Sequence, residues 1–188
     1  DFEHTLTERI SLVGFMILNK IFFHGFCQSE YHAYTTSRKY VQGGKVTQSS
    51  LFGPGVPERA IDGNRASNWG EKSCTHTEEE QNPWWRLDLQ KTYKVNTVTI
   101  TNRKDCCPER LNGAEIRIGN SLNDDGNSNP RCAVISTITA GNSQTFECNG
   151  MEGRYVNIVI AGRKEYLTLC EVEVTGQPLG NSNSIGNL

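Results

Sequence analysis

Four short runs of alternating apolar and polar residues lie in the second half of the chain, at residues 94–101, 114–118, 154–160 and 170–174. Alternation with a period of two is typical of strands that bury one face. Turn-forming pairs such as Asn112-Gly113 and Asn149-Gly150 separate these runs, and no long stretch of helical periodicity follows residue 40. The pattern predicts an all-β fold, a jelly-roll β-sandwich, over residues 41–176.

A further strand is predicted at residues 82–89, where Asn-Pro precedes Trp-Trp-Arg-Leu-Asp-Leu. In an extended chain Trp85, Leu87 and Leu89 share one face, and Trp84 lies on the other. Exposed tryptophans can stack on sugars, but a strand of this pattern more often supplies core and a partly buried rim. We therefore assign both tryptophans to the fold and not to a binding site.

Charge and cysteine content restrict the class of protein. The net charge is -2 with no basic block, which argues against electrostatic binding of nucleic acid. The chain has seven cysteines, and none of them are spaced as Cys-x-x-Cys, the pattern typical of zinc ribbons and redox motifs. This cysteine usage favours an oxidising compartment and predicts a secreted, extracellular protein.

Both ends of the chain differ from the middle. Residues 10–26 are largely apolar, so we expect residues 1–29 to be a signal peptide or N-terminal extension, an amphipathic helix being the alternative. Lys20 and His24 interrupt the run and argue against a membrane-spanning helix. Removal of a signal peptide would leave Cys27 unpaired or remove it. Residues 30–40 are predicted to be a linker, and residues 177–188 a flexible tail rich in Gly, Ser and Asn.

The segment 102–110, Asn-Arg-Lys-Asp-Cys-Cys-Pro-Glu-Arg, concentrates charged groups and sulfur. A disulfide between the adjacent Cys106 and Cys107 would form a small, rigid, apolar surface. Asp105 can accept hydrogen bonds from both Arg103 and Arg110 and direct their remaining N–H groups at neighbouring hydroxyls. This combination indicates a binding site for a sugar ring.

His76 is the only histidine after residue 40, and its imidazole could hydrogen-bond a sugar hydroxyl. Taken alone, such a histidine is more often a surface or internally satisfied loop residue.

Oxygen-bearing side chains cluster at Asp62-Gly63-Asn64, with Ser73 nearby and Glu171 far along the chain. Carboxylate, amide and carbonyl oxygens are the ligands that Ca²⁺ prefers. The spacing lacks the closing glutamate of an EF-hand, and Asp-Gly-Asn is more often a simple turn. A Cys74–Cys170 disulfide would bring Glu171 to this corner, but the sequence does not prove that pairing.

The chain resembles the F-type lectins, in particular the eel-type fucolectins, over most of residues 45–174. The resemblance rests on residues 60–64, 73–77, 82–89, 99–107, 113–119, 153–156 and 169–174. The family signature is a histidine, twenty-six residues, Arg-x-Asp, four residues, then Arg or Lys. His76, Arg103, Asp105 and Arg110 match it.

The resemblance implies that His76, Arg103 and Arg110 hydrogen-bond α-L-fucose, with Asp105 orienting the arginines. It places the bonded Cys106 and Cys107 under the apolar edge of the sugar. Trp69 matches the position of an aromatic residue against the sugar methyl group. The loop at residues 49–59 looks shorter than in the eel-type members and contains no histidine, which leaves the preferred oligosaccharide open.

The resemblance also implies a structural Ca²⁺ ion and three disulfides. The implied metal ligands are the carbonyls of Arg59 and Cys170 and the side chains of Asp62, Asn64, Ser73 and Glu171. The implied disulfides are Cys74–Cys170, Cys106–Cys107 and Cys132–Cys148. The family further implies a homo-oligomer, a homotrimer by family habit, that binds fucosylated glycans on host or microbial surfaces in innate immune recognition and agglutination.

Two other functions are weighed against a lectin. An enzyme that hydrolyses glycosides is disfavoured, because Asp105 between two arginines would have too low a pKa to act as a general acid. A discoidin-like module that binds phospholipid or extracellular matrix is the second candidate, with Leu51-Phe52 as an apolar loop tip.

Overall fold

The computed structural model describes Tyr40 and residues 43–180. The expected signal peptide or extension over residues 1–29, including Cys27, lies outside the described residues. So do most of the expected linker over residues 30–40 and residues 181–188 of the expected tail, and these expectations stay predictions. Among the described residues, no helix has the length and apolar character needed to cross a membrane.

The described residues form eight strands and four short 3₁₀ helices. The strands are β1 (Lys45–Gln48), β2 (Glu80–Gln81), β3 (Trp84–Thr101), β4 (Glu115–Gly119), β5 (Arg131–Val134), β6 (Ser143–Val159), β7 (Lys164–Glu165) and β8 (Glu171–Pro178). The 3₁₀ helices are Pro57–Ala60, Trp69–Glu71, Pro108–Leu111 and Asn123–Gly126.

The strand pairings are all antiparallel and centre on β3 and β6. The strand order is β1-β3-β6-β4-β5, β8 also pairs with β3, and β2 pairs with β7 in a small separate sheet. The beginning of β3 pairs with β1 and its end with β8, and its register with β6 shifts between Asp88 and Tyr93. Because β3 pairs with β1 at its beginning and with β8 at its end, it connects these two strands within one sheet. The predicted all-β sandwich is confirmed.

The predicted faces of β3 are confirmed by burial. Trp85, Leu87 and Leu89 are 0%, 4% and 3% exposed and belong to the hydrophobic core. The indole Nε1 of Trp85 donates to the carbonyl of Pro57 at 3.0 Å, so its one polar atom is satisfied inside the core. Trp84, on the other face, lies 4.8 Å from the guanidinium carbon of Arg86.

The last strand extends two residues past the predicted end of the domain. Gln177 pairs with Lys94, and Pro178 pairs with Tyr93. Polar composition suggested a tail at residue 177, but pairing with β3 continues the strand there. Proline is tolerated because it lies at the end of the strand.

Candidate functional site

The loop that follows β3 is anchored by Asn102, which is 1% exposed. Its Nδ2 donates to the carbonyls of Pro108 at 2.9 Å and Ile138 at 2.8 Å. Its Oδ1 accepts from the backbone N–H of Arg103 at 2.8 Å. Since a buried amide that uses both ends is costly to displace, it fixes the position from which Arg103 extends.

Asp105 holds Arg103 and Trp69 together. Its carboxylate accepts from Arg103 Nε at 3.0 Å and Nη2 at 2.7 Å, in a bidentate pair. Oδ1 also accepts from the backbone N–H of Trp69 at 2.9 Å. The hydrogen bonds from Arg103 are the main cause that lowers the pKa of Asp105 to about 2, so the carboxylate is charged at neutral pH.

The expectation that Asp105 also holds Arg110 is wrong. Arg110 Nε instead faces Glu165 Oε1 at 3.5 Å, and its guanidinium carbon lies 4.6 Å from the ring centroid of Tyr166. The reason is that Arg110 lies on the 3₁₀ helix Pro108–Leu111, which directs it towards β7. Each of the two arginines therefore has its own carboxylate.

His76 lies at the centre of the site and is 6% exposed. Three aromatic rings surround its imidazole, with centroids 4.6 Å away at Phe52, 5.2 Å at Trp69 and 5.4 Å at Tyr166. The rings of Trp69 and Tyr166 meet the imidazole edge to face. Packing on three sides leaves His76 a single orientation.

The environment of His76 defines its protonation. Nδ1 lies 2.7 Å from the carbonyl oxygen of Thr77. Because a carbonyl can only accept, Nδ1 carries the hydrogen, and Nε2 of the neutral ring is an acceptor. Burial lowers the pKa of His76, and the nearby charges of Arg110 and Arg103 lower it further. At neutral pH Nε2 of His76 is therefore a hydrogen-bond acceptor.

The guanidinium carbon of Arg103 lies 5.3 Å from the ring centroid of Trp69, which completes a continuous series of contacts. We call this series the cation–aromatic row: Arg110, Tyr166, His76, Trp69 and Arg103. Cations over aromatic faces are attracted by the ring quadrupole, so the row orients both guanidiniums as well as packing the imidazole. The row unites four sequence-predicted residues with Tyr166.

The predicted disulfide between adjacent cysteines is present between Cys106 and Cys107, and both residues are half-buried. Cys107 has φ of 54°, in the left-handed region, and immediately precedes the 3₁₀ helix Pro108–Leu111. Left-handed backbone is uncommon outside glycine and asparagine, so this turn is held by its surroundings. Along the chain the two bonded cysteines thus link Asp105 to the helix that carries Arg110.

The loop at residues 49–56 closes over His76. A Cβ at Gly55 would lie 2.6 Å from the Cβ of His76 and 2.9 Å from Cη2 of Trp69, so only glycine permits this approach. Gln48 Nε2 donates to the carbonyls of Ser50, Gly55 and His76 at 2.7, 3.1 and 3.0 Å. One amide therefore joins the loop to the histidine.

The predicted metal corner contains two neighbouring carboxylates, those of Asp62 and Glu171. Glu171 is 4% exposed, and its Oε2 has no hydrogen-bond partner among the described residues. Burial and, to a smaller extent, the charge of Asp62 raise the pKa of Glu171 to about 7. Burying a charged carboxylate beside a second one costs free energy when no cation is bound, and a hard cation would offset that cost.

The other predicted ligands supply neutral oxygens. Asn64 Oδ1 accepts from the N–H of Ala66 at 3.1 Å, and Ser73 Oγ donates to the carbonyl of Asn68 at 3.3 Å. The disulfide Cys74–Cys170 is present and places residue 170 beside this corner, while Arg59 donates Nη1 to the carbonyl of Cys74 at 3.3 Å. In the described part of the chain, no group of three or more His, Cys, Asp or Glu could hold a metal ion. Any Ca²⁺ here would therefore depend on two carboxylates together with carbonyl, amide and hydroxyl oxygens, a donor set that fits this ion.

The third predicted disulfide, Cys132–Cys148, is present and joins β5 to β6. With it, all six cysteines of the described residues are paired.

Sequence reasoning missed Glu165, Tyr166 and the contact of Phe52 with His76. Glu165 and Tyr166 lie far along the chain from Arg110, at the end of a strand of only two residues. No motif or spacing marks them. They reach Arg110 because β7 pairs with β2, which follows the loop that carries His76.

Comparison with known proteins places this site in context. Residues 59–158 match the family described as NedA-like, galactose-binding domain. Fucolectin-5 of Anguilla japonica is 46% identical over 180 residues, which cover 90% of this chain and 94% of the relative.

Solved structures with the same fold include lectins and binding modules. The f-lectin (fucolectin) from Morone saxatilis serum superposes with a TM-score of 0.75 and 59% identity, covering 77% of this chain and 49% of that one. A Streptococcus pneumoniae fucose binding module superposes with a TM-score of 0.63 and 31% identity, covering 72% of this chain and 96% of the module.

Proposed function

Since the chain belongs to the fucolectin family, the F-type lectins, we propose that it reversibly binds terminal α-L-fucose on glycans. The cation–aromatic row carries this proposal, because it sets the acceptor Nε2 of His76 between the donors of Arg103 and Arg110. Members of this family are carbohydrate-binding proteins and not enzymes.

The donors and acceptor of the row suit a sugar hydroxyl that must both give and receive. A hydroxyl can donate its hydrogen to His76 Nε2 while its oxygen accepts from a guanidinium N–H. The second guanidinium can reach a neighbouring hydroxyl or the ring oxygen. Such a set distinguishes an axial from an equatorial hydroxyl, because the angle between the two directions is fixed by packing.

The apolar part of the site suits the rest of a deoxy sugar. The half-buried sulfurs of Cys106 and Cys107 and the ring of Trp69 offer surface for the ring edge and the methyl group of fucose. A few charged donors with limited apolar contact give an affinity per site on the order of micromolar to millimolar.

We further propose that a structural Ca²⁺ is held by the side chains of Asp62, Asn64, Ser73 and Glu171, with carbonyls of residues 59 and 170. The buried, unpartnered Oε2 of Glu171 supports this. The ion would supply positive charge to two carboxylates and join the loop at residues 59–73 to the start of β8. It has no role in contacting the sugar.

The biological setting is part of the same proposal. Three disulfides in a domain of this size are typical of secreted proteins, so we place the protein outside the cell. Weak single sites gain strength when several act together, which favours a homo-oligomer, a trimer by resemblance, that agglutinates fucosylated surfaces in innate immunity.

The alternative of phospholipid or matrix binding rests on Leu51 and Phe52, which are 49% and 43% exposed. Phe52 packs on His76 with centroids 4.6 Å apart, so this loop borders the sugar site. That position favours a role for the loop as a wall of the site over insertion into a membrane.

Retention on fucose-agarose with elution by free fucose tests the proposal. Wild type should be retained, and Arg110→Ala should pass through with an unchanged circular dichroism spectrum. If wild type is not retained on fucose-agarose but binds phosphatidylserine vesicles, the membrane alternative is supported instead. Retention of the Arg110→Ala variant would mean that the site is misassigned.

A further inference from the structure

We propose that Glu165 is a positioning residue for Arg110 that also sets a preference for neutral over anionic sugars. This inference rests on the proposed binding of fucose. Glu165 lies outside the sequence signature. It is the last residue of β7 and directly precedes Tyr166, a member of the row.

Glu165 is held in place from two directions. Its backbone pairs with Glu80 of β2, and its Oε1 accepts from the N–H of Tyr166 at 2.9 Å. The same Oε1 lies 3.5 Å from Arg110 Nε, and the side chains of Glu165 and Arg110 are only 26% and 19% exposed. A half-buried carboxylate with a fixed backbone can fix the orientation of a guanidinium.

Arg110 is held at two points by consecutive residues. Glu165 meets its Nε edge, and the ring of Tyr166 lies under its plane at 4.6 Å. An arginine fixed at one edge and one face keeps its remaining N–H groups in one direction. The direction in which Arg110 can donate hydrogen bonds to a ligand is then set by Glu165 and Tyr166 before the ligand binds.

The charge at each arginine is also balanced. Asp105 pairs with Arg103 and Glu165 pairs with Arg110, so the guanidinium at each end of the row lies beside a carboxylate. A sulfate or carboxylate on the sugar would compete with Glu165 for Arg110 and be repelled by it. Removal of the Glu165 charge would leave an unbalanced guanidinium that attracts anions.

Calorimetric titration of the full chain with methyl α-L-fucoside and with its ring-sulfated derivative tests this role. Glu165→Gln should weaken binding of the neutral fucoside by about fivefold and raise the ratio of sulfated to neutral affinity by a similar factor. Glu165→Asp should restore the wild-type ratio in part. The rise in the ratio of sulfated to neutral affinity should become smaller as salt rises, which a purely structural defect would not produce.

Glu79→Gln is the matched control. Glu79 pairs with Lys164 of the same small sheet at 3.3 Å, but its side chain is 49% exposed. This variant should bind both ligands as wild type does.

The outcomes separate this inference from the function on which it rests. If wild type and Glu79→Gln bind fucoside and Glu165→Gln binds both ligands with the wild-type ratio, the role of Glu165 is overturned and the lectin function stands. If wild type binds no fucoside, both are overturned. A changed ratio with a circular dichroism spectrum like that of wild type supports the inference.

Discussion

The two arginines of the site are held by carboxylates in different ways. Arg103 is paired with Asp105, two residues along the chain, through two hydrogen bonds of 3.0 and 2.7 Å. Arg110 meets Glu165, far along the chain, at a single distance of 3.5 Å, and depends on stacking with Tyr166 as well. The first arrangement is made within one loop, whereas the second requires β7 to be in place.

This difference predicts unequal tolerance of change. Loss of Asp105 removes both hydrogen bonds to Arg103 and also the hydrogen bond that fixes the backbone of Trp69, whose ring lies beside Arg103. Loss of Glu165 leaves Arg110 stacked on Tyr166. One substitution at the Arg103 end should therefore cause a large loss of sugar affinity. Substitutions at the Arg110 end should reduce the affinity in smaller steps.

The largest expected effect is that of Asp105→Asn. Replacing two charge-assisted hydrogen bonds with weaker ones should reduce affinity for methyl α-L-fucoside by about thirtyfold or more. Asp88→Asn is the matched control, because Asp88 holds Arg154 in the same bidentate way, at 2.7 and 2.8 Å, outside the row. Equal losses of binding in the two variants, measured by calorimetry, would contradict a specific role for Asp105.

Acid should weaken binding next most strongly, through His76. Burial lowers the pKa of His76 from its ordinary value, so the ring is neutral at pH 7 and Nε2 accepts. As pH falls through that lowered pKa, Nε2 gains a proton and affinity should fall by about tenfold per pH unit below it. Asp105, with a pKa of about 2, stays charged over this range, so its pairing with Arg103 does not contribute to the pH dependence of affinity.

His76→Gln tests the assignment, since an amide oxygen can accept but does not titrate near neutral pH. Its binding should be weaker than that of wild type and flat between pH 7 and 5. A slope as steep as that of wild type would assign the titration to another group.

A smaller effect is expected from Tyr166→Leu. Loss of the ring under Arg110 should reduce fucoside affinity by about threefold, because Glu165 still holds the guanidinium. Tyr93→Leu removes a ring that lies under Lys91 at 5.6 Å, away from the site, and should leave affinity unchanged. A loss in Tyr166→Leu as large as in Asp105→Asn would mean that the two ends are equally rigid.

Removal of Ca²⁺ should affect sugar binding least and thermal stability most. EDTA should lower the melting temperature by about 5 °C, because an ion bound only to the folded state stabilises it. Glu171→Gln should abolish this response, and Glu173→Gln, which removes a neighbouring carboxylate paired with Arg65, should retain it. A melting temperature insensitive to both Ca²⁺ and EDTA in wild type would rule out the metal site.

Local features of the site could be predicted from the sequence, and contacts between distant segments could not. Period-two alternation predicted the buried faces of β3, and the family signature identified His76, Arg103, Asp105 and Arg110. The pairing of Arg103 with Asp105 follows from their spacing, because a turn brings residues two apart within reach. Arg110 was assigned to the same carboxylate because no sequence signal marks Glu165.

Protonation of His76 was equally hidden, since it depends on the carbonyl of Thr77 and on rings from three separate loops. Gly55 also lacked a signal, although its missing side chain is what lets the loop approach His76. Both features arise from packing and not from motif.

Titration of wild type with methyl α-L-fucoside and with its mirror image, methyl α-D-fucoside, shows whether the site recognises the handedness of the sugar. The two ligands have the same atoms and polarity and differ only in handedness, so their hydroxyl and methyl groups point in mirror-image directions. A site whose donors and acceptor are fixed by the cation–aromatic row should bind the L form once per chain and give no measurable heat with the D form. Equal heats from both, or none from the L form, would contradict the account.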